Sequence, residues 1–395
     1  MPSTTKKNTR VLVAMSGGVD STATALLLQA QGYEVIGVTM KTWDYAIAGS
    51  CDKETGCCTL DSIIDARSVA VREGFPHYIF DIRKEFGDYV IDDFVSEYLA
   101  GRTPNPCILC NTHIKWEALL RRADLLGCQY IATGHYAIKV HEGGRYFIRK
   151  SADRRKDQSY VLWGLSQEAL ARSLFPLGQM TKDKVRALLK EHGYDTLSKK
   201  GESYEICFIP DNDYRAFLKH RVPDLEQRVE GGYFVDTKGN ILGRHRGYPF
   251  YTIGQRRGLG IALGKPMYVV DIDPDTNTVV LGTVEELIHN AMTVYKTHLQ
   301  KYDHWPEGKV LTVKVRYQDP GTPAVVFPRD DGTLEVAFLK GVRSITPGQS
   351  AVFYEGEDLV GGGIIHRFYD VQNPAEIASA RREWEALPHT KPEAQ

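Results

Sequence analysis

The apolar run Val11-Leu12-Val13-Ala14-Met15 breaks at once into Ser16-Gly17-Gly18-Val19-Asp20-Ser21, and a helical pattern follows. No other feature limits the fold as much. The run is short and apolar at every position, as a strand buried on both faces must be. Over residues 22–31, Ala23, Leu26, Leu27 and Ala30 share one helical face before Gly32 ends it. The unit is strand, tight turn, helix, which opens a parallel sheet covered by helices.

The alternation continues. Strand-like runs are expected at 34–40, 77–81 and 130–133, with helices at 61–73, 86–100 and 114–126 between them. This predicts an α/β fold, a parallel sheet with helices on both faces. Open sheets of this kind bind ligands at the carboxyl ends of their strands, so the loops after Met15, Met40 and Thr133 border the expected site. A hairpin is expected over 136–149 around Glu142-Gly143-Gly144, then helices near 167–174 and 182–192. From about Gly231 the pattern becomes short strands with turn punctuation, at 233–235, 241–242, 268–273 and 278–281. These read as antiparallel. Strands at 311–316, 324–327, 334–338 and 350–354 have the spacing of a small C-terminal β-barrel. Residues 375–395 are polar and read as one helix with a frayed end.

At 395 residues the chain is long enough for two or three domains with cores of their own. Lys+Arg 49 against Asp+Glu 50 gives a net charge of −1, so any nucleic-acid partner must be held by local basic patches. No apolar stretch approaches the ~20 residues of a membrane span, and the basic start lacks an apolar stretch of secretory length. Seven cysteines, unevenly placed, fit a reducing compartment, and the expected location is cytoplasmic.

The glycine loop is built for an anion. Two glycines permit a tight turn and bring bare N–H groups forward, Ser16 and Ser21 offer hydroxyls, and the helix dipole favours negative charge there. There is no Walker lysine and no G-x-G-x-x-G spacing, so cleavage between the α and β phosphates is the natural chemistry for a bound nucleotide. The competing reading is an ordinary glycine turn with Asp20 or Ser21 as helix cap.

The loop resembles the SGGVDS signature of the PP-loop ATP pyrophosphatases. Further motifs are Gly101-Arg102-Thr103-Pro104-Asn105-Pro106, Cys110-Asn111, Gly134-His135-Tyr136, Lys156-Asp157-Gln158-Ser159-Tyr160 and Ile206-Cys207-Phe208. With these, nearly the whole chain resembles the tRNA-specific 2-thiouridylase family. The resemblance implies a catalytic domain over 1–215, a small tRNA-contacting domain over 216–282, a barrel over 283–375 and a tail over 376–395. It implies ATP, with Mg²⁺, held by Ala14, Met15, Ser16, Gly17, Gly18, Val19, Asp20, Ser21, Met40 and Gly134. Asn105, Pro106 and Cys107 would lie near the target base. His135, Lys156, Asp157, Gln158, Arg316, Tyr317 and Gln349 would contact tRNA, and a sulfur-donor protein would be a second partner.

The implied reaction adenylates the C2 oxygen of the wobble uridine, turned out of its stack, and then replaces it with sulfur. Cys207 would carry a persulfide and Cys110 would attack it, closing a disulfide as sulfur leaves. Cys107 departs from the family, standing where many members have aspartate. It creates a Cys-x-x-Cys, so Cys107, Cys110 and Cys207 are alternatively three ligands for an iron–sulfur cluster. Cys51, Cys57 and Cys58 offer three soft ligands with no nearby histidine, short of the four that zinc requires. They and Cys128 read as reduced thiols.

Arg244, His245, Arg246, Arg256, Arg257 and Lys265 alternate with Tyr248, Phe250 and Tyr251, a composition that suits RNA. A solvated face of a small β domain has the same composition. Two other functions stay open on the sequence: a PP-loop ligase or amidotransferase acting on a small molecule, and a non-catalytic RNA-binding module.

Overall fold

The computed structural model describes residues 8–43, 60–201, 206–209 and 213–371. Cys51, Cys57, Cys58 and the expected C-terminal helix lie outside them. The chain divides into two compact units: Met1–Val95 with Pro106–Pro223 and Glu357–Leu359, and Ser96–Asn105 with Asp224–Gly356 and Val360–Gln395.

The first unit is built on β1 (Arg10–Ala14), β2 (Glu34–Lys41), β3 (His77–Asp81), β4 (Tyr130–Ala132), a hairpin of β5 (Ala137–Glu142) and β6 (Arg145–Lys150), and β7 (Ser173–Leu174). Its parallel sheet has the order β3-β2-β1-β4-β7, so β1 is central. That position explains its composition. Val11, Leu12 and Val13 are all fully buried, and each such side chain removed from water contributes about 1.5–3 kcal/mol.

Its helices include α1 (Val19–Ala30), α2 (Leu60–Glu73), α3 (Arg83–Phe86), α4 (Asp92–Leu99), α5 (Pro106–Leu109), α6 (Glu117–Leu125), α7 (Gln167–Ala171) and α8 (Lys182–Glu191). Val11 and Val13 pack with Ala25 and Leu28 of α1 and with Ala66, Val69 and Ala70 of α2. Leu12 points the opposite way along the pleat, and α6 packs on β1 and β4. Helices thus cover both faces, as the alternation requires.

Local boundaries differ from the sequence expectation where hydrogen bonding outweighs pattern. The helix α1 begins at Val19, directly after Gly18, rather than at 22. A π turn, Gly87–Ile91, interrupts the helix expected over 86–100, and a second, Cys110–Trp116, precedes α6. Ser173 and Leu174 are not the end of a helix: they pair with Ile131 and Ala132 and add the edge strand.

In the second unit, β8 (Tyr233–Asp236), β9 (Ile241–Arg244), β10 (Tyr268–Asp273) and β11 (Thr278–Gly282) form a sheet of order β10-β11-β8-β9. Its two hairpins are antiparallel, but they join through a parallel β11–β8 pair, so the sheet is mixed. Then β12 (Ile288–Leu299), β13 (Val310–Lys314), β14 (Thr322–Pro328), β15 (Leu334–Arg343), β16 (Ser350–Glu355) and β17 (Asp358–Tyr369) form a barrel of order β12-β15-β14-β13-β16-β17, closed by β12–β17. Closure leaves no free edge. Met292, Val294, Leu311, Val313, Val336, Phe338, Phe353 and Ile365 fill its interior.

Candidate active site

Ala14 ends β1, and Met15 continues its line by donating its N–H to the Val38 carbonyl at 2.7 Å. Thr39 fixes the other side of Met15, its hydroxyl donating to the Met15 carbonyl at 2.8 Å. The chain then reverses through Gly17, whose φ is +66°. A Cβ at Gly17 would stand 2.1 Å from the Ser62 carbonyl oxygen, so only glycine fits both the conformation and the space.

Gly18 is the N-cap of α1 and no side chain caps the helix. That overturns the capping alternative. Ser21 is engaged elsewhere: its hydroxyl donates to the Gly18 carbonyl at 3.2 Å and accepts from the Ser16 N–H at 3.2 Å. The first-turn N–H groups of a 12-residue helix therefore point into the loop with its dipole behind them. Gly134 follows β4 and lies against α1, where a Cβ would come within 2.9 Å of the Asp20 carbonyl carbon. Met40 sits near the carboxyl end of β2. The residues expected to hold ATP are thus gathered at the carboxyl ends of β1, β2 and β4.

Two lysines that the sequence did not associate with this loop reach it. Lys182, the first residue of α8, places Nζ 2.8 Å from both carboxylate oxygens of Asp20. The Tyr136 hydroxyl donates to the same carboxylate at 2.8 Å. Lys200 donates to the Gly17 carbonyl at 3.1 Å and to Asp65 Oδ2 at 2.8 Å. Neither contact has a local signal, since both partners are remote in sequence.

Tyr136 also connects motifs. Its N–H donates to Gln158 Oε1 at 3.0 Å, and the Gln158 N–H donates to the Tyr136 carbonyl at 2.9 Å. Asp157 accepts from the Ser151 N–H at 2.9 Å and the Ser159 hydroxyl at 2.7 Å. The side chains of Asp157 and Gln158 thus bond within the protein, behind the glycine loop. His135 bonds to the Thr133 hydroxyl through Nδ1 at 2.8 Å, and its ring packs on Trp116. Burial, assisted by the Lys115 charge, lowers its pKa to about 3, so the ring is neutral at physiological pH.

The cysteines occupy two segments. Cys107 is exposed on α5, Cys110 is buried at the start of the following π turn, and Cys207 is half-buried. Cys207 stands in a tight turn in which Ile209 N–H donates to the Ile206 carbonyl at 3.0 Å. Its neighbour Phe208 is buried against Phe86, Phe94 and Phe217, with ring centroids 5.3–5.7 Å apart. The π turn that begins with Cys110 also packs on α3, which holds Phe86. Both cysteine segments therefore abut the helical stretch that leaves the carboxyl end of β3.

Cys107 is open to solvent, yet the protein mass around it pushes its thiol up, and the Lys115 charge only partly opposes this. Among the described residues no three His, Cys, Asp or Glu side chains gather as a metal site.

In the second unit, Gln349 Nε2 donates to the Thr103 and Pro104 carbonyls at 2.9 and 3.1 Å, holding the backbone just before Asn105. Arg316 and Tyr317 are exposed. The basic and aromatic stretch separates by burial. His245, Phe250 and Tyr251 are in the core, whereas Arg244, Arg246, Arg256, Arg257 and Lys265 are exposed. Phe250 and Tyr251 are packing residues and not stacking platforms. Arg256, Lys265 and the glycine-rich backbone between them line a shallow concavity. Among the described residues no helix is long and apolar enough to cross a membrane.

Family models match in three consecutive segments: the tRNA methyl transferase HUP domain over residues 9–211, the tRNA methyl transferase PRC-barrel domain over 215–283 and the aminomethyltransferase beta-barrel domain over 291–365. A protein of Amoebophilus asiaticus named tRNA-specific 2-thiouridylase MnmA is 62% identical over 91% of this chain and 96% of its own length. One of the same name from Salinibacter ruber is 56% identical over 95% of this chain and 98% of its own. A solved 4-thiouridine synthetase–RNA complex with bound ATP aligns over 55% of this chain and 51% of that chain, at 16% identity and a TM-score of 0.35. Relatives this similar over nearly their whole length place the chain in the tRNA-specific 2-thiouridylase family.

Proposed function

We propose that the protein is a tRNA-uridine 2-sulfurtransferase, which uses ATP to replace the C2 oxygen of the wobble uridine with sulfur. The carrying observation is the uncapped helix start behind Gly17 and Gly18 in a chain whose relatives bear the 2-thiouridylase name. The family models carry the words methyl transferase. An anion cradle with cysteines in two motif segments accords better with nucleotide-driven sulfur transfer, because methyl transfer consumes no nucleoside triphosphate.

In this reading ATP lies with its phosphates over Ser16–Ser21 and its base near Met40 and Gly134. The uridine C2 oxygen attacks the α phosphorus, pyrophosphate leaves, and C2 becomes electrophilic with AMP as its leaving group. The terminal sulfur of a Cys207 persulfide then attacks C2 and AMP departs. The Cys110 thiolate attacks Cys207 Sγ, so the S–S bond within the persulfide breaks, its electron pair stays with the sulfur on the base, and a Cys110–Cys207 disulfide closes. A reductant and a sulfur-donor protein restore the persulfide. Asn105, Pro106 and Cys107 border the base. His135, Lys156, Asp157, Gln158, Arg316, Tyr317 and Gln349 are the proposed tRNA-binding set, in which Asp157, Gln158 and Gln349 act by shaping backbone.

Mg²⁺, when bound, would offset phosphate charge. The carboxylates beside the loop are paired, Asp20 with Lys182 and Asp65 with Lys200. Persistent thiols fit a cytoplasmic setting.

The test is incubation of protein, ATP, Mg²⁺, a persulfide donor and unmodified tRNA, followed by nucleoside mass spectrometry. Thiolated uridine with stoichiometric AMP is expected, and Cys207→Ser should abolish it while tRNA binding persists. Product from that variant would end the persulfide assignment. Pyrophosphate release that needs no tRNA would favour a small-molecule ligase.

A further inference from the structure

Asp20 places a negative charge in the first turn of α1, beside the N–H groups that the reading above assigns to phosphate. Left alone, that carboxylate would repel the ligand the loop is built to take. Lys182 removes the conflict. Its ammonium lies 2.8 Å from both Asp20 oxygens with its side chain 8% exposed, and the Tyr136 hydroxyl completes the carboxylate's bonding at 2.8 Å.

The lysine is itself held. Its backbone N–H donates to the buried Asp153 at 3.0 Å, and Thr181 caps α8 by accepting from the Lys184 N–H. Val185 and Leu189 of α8 pack with Val19 and Ala23 of α1. The two helices are thus fixed together, with the ion pair at the loop end of their contact.

We propose that Lys182 is a positioning residue for nucleotide binding: with Tyr136 it clamps Asp20 and cancels its charge, so the cradle meets the phosphates of ATP without a competing anion. This rests on the reading of the loop as the nucleotide site and adds a residue to it. It also accounts for how a loop with no lysine of its own tolerates an aspartate at its mouth. Charge repulsion within a partly desolvated site is stronger than in water, and removing one partner of a partly buried pair leaves the other uncompensated.

The test measures equilibrium binding of adenosine, AMP and a non-hydrolysable ATP analogue to the full chain by calorimetry, at fixed salt and Mg²⁺ and without tRNA. Lys182→Met should weaken the ATP analogue at least about tenfold, AMP less, and adenosine hardly at all. A lysine that merely supported the fold would weaken all three alike. Lys182→Arg should stay near the wild type, and Asp20→Asn with Lys182→Met, which deletes both charges, should regain most of the loss. Thermal melts establish that each variant is folded.

The inference is overturned if Lys182→Met binds the ATP analogue as the wild type does, if all three ligands weaken equally, or if the double variant stays as weak as Lys182→Met. Those results leave the loop's assignment standing. Folded wild-type protein that takes up no ATP analogue would end that assignment and this inference with it.

Discussion

The Lys200 ammonium lies 3.1 Å from the Gly17 carbonyl oxygen and, on its other side, 2.8 Å from Asp65 Oδ2. A cation from 183 positions away thus stands at the turn that was expected to lack one. Lys200 is partly exposed, unlike Lys182, and its carboxylate partner is on α2, outside the loop. With ATP over the loop, as proposed, Lys200 would exchange Asp65 for a phosphate oxygen. Lys200→Met should therefore raise the KM for ATP roughly three- to tenfold with a small change in melting temperature, because an exposed pair contributes only about 0–1 kcal/mol. Steady-state AMP formation at saturating tRNA, beside thermal melts, checks both parts.

The glycines of the loop permit a sharper forecast. At Gly17 an added Cβ meets the Ser62 backbone oxygen at 2.1 Å while φ is +66°, and at Gly134 it meets the Asp20 backbone at 2.9 Å. Backbone cannot rotate out of the way as a side chain can. Gly17→Ala combines left-handed strain with displacement of the start of α2, a loss of about 2–4 kcal/mol. Gly134→Ala, with overpacking alone, should cost about 1–3 kcal/mol. Gly18→Ala is the control, since the closest atom its Cβ meets is the Ser16 hydroxyl oxygen at 3.5 Å. Denaturant midpoints ranked Gly18→Ala above Gly134→Ala above Gly17→Ala are expected, and nucleotide affinity should follow that order.

These contacts mark the limit of what the sequence discloses. Short apolar runs between helical patterns located β1, β2, β3 and β4; β1, β2 and β4 bury theirs inside the sheet, whereas β3, at its edge, was legible although Tyr78 and Ile79 stay exposed. Such runs could not locate β7, whose two residues close a helix-like run and become a strand only by pairing with β4. The strands β12 and β17 escaped for another reason: His, Asn, Thr and Lys interrupt the first, and three consecutive glycines, Gly361 to Gly363, interrupt the second. Glycine there is required by crowding, since a Cβ at Gly361 would meet the His298 carbonyl oxygen at 2.3 Å. For the site, SGGVDS was legible as an anion loop, whereas Lys182 and Lys200 were not, because no local pattern reports a tertiary ion pair. Tyr251 beside arginines reads equally as a stacking face or as core, and only burial decided for core.

His135 gives a pH signature. Its folded pKa, about 3, is below its ordinary value of 6.5, so the unfolded chain takes up a proton that the folded chain refuses. Its contribution is complete above pH 6.5 and drains away as pH falls from 6.5 toward 3. Between pH 7.5 and 5 the wild type should lose roughly 1–2 kcal/mol more than His135→Asn, read from denaturant unfolding at the two pH values. A neutral ring also cannot act as a cation toward RNA. His135→Asn should leave the slope of log tRNA affinity against log salt unchanged, while Arg316→Ala should flatten it by about one unit.

Cys107 tests whether exposure or electrostatics governs a thiol in this site. It is the exposed member of the Cys-x-x-Cys, and accessibility alone would make it the reactive one. Its surroundings push the thiol up, above an ordinary value of 9.0, with Lys115 opposing too weakly to reverse the sign. The nucleophile is the thiolate, so at pH 7.5 Cys107 should be alkylated by iodoacetamide more slowly than a free cysteine, with a rate still rising above pH 9. Replacing Lys115 by Met should slow it further, because a charge that favours the thiolate is gone. If Cys107 serves only to border the base, Cys107→Ser should keep thiolation within about threefold, while Cys110→Ser and Cys207→Ser fall by about a hundredfold or more, the scale of losing a nucleophile. Peptide mapping after timed alkylation and nucleoside analysis of the product tRNA measure the two halves separately. Fast labelling of Cys107 at neutral pH together with an inactive Cys107→Ser would make it a sulfur carrier in its own right, and the two-thiol exchange between Cys110 and Cys207 would have to become a three-thiol relay.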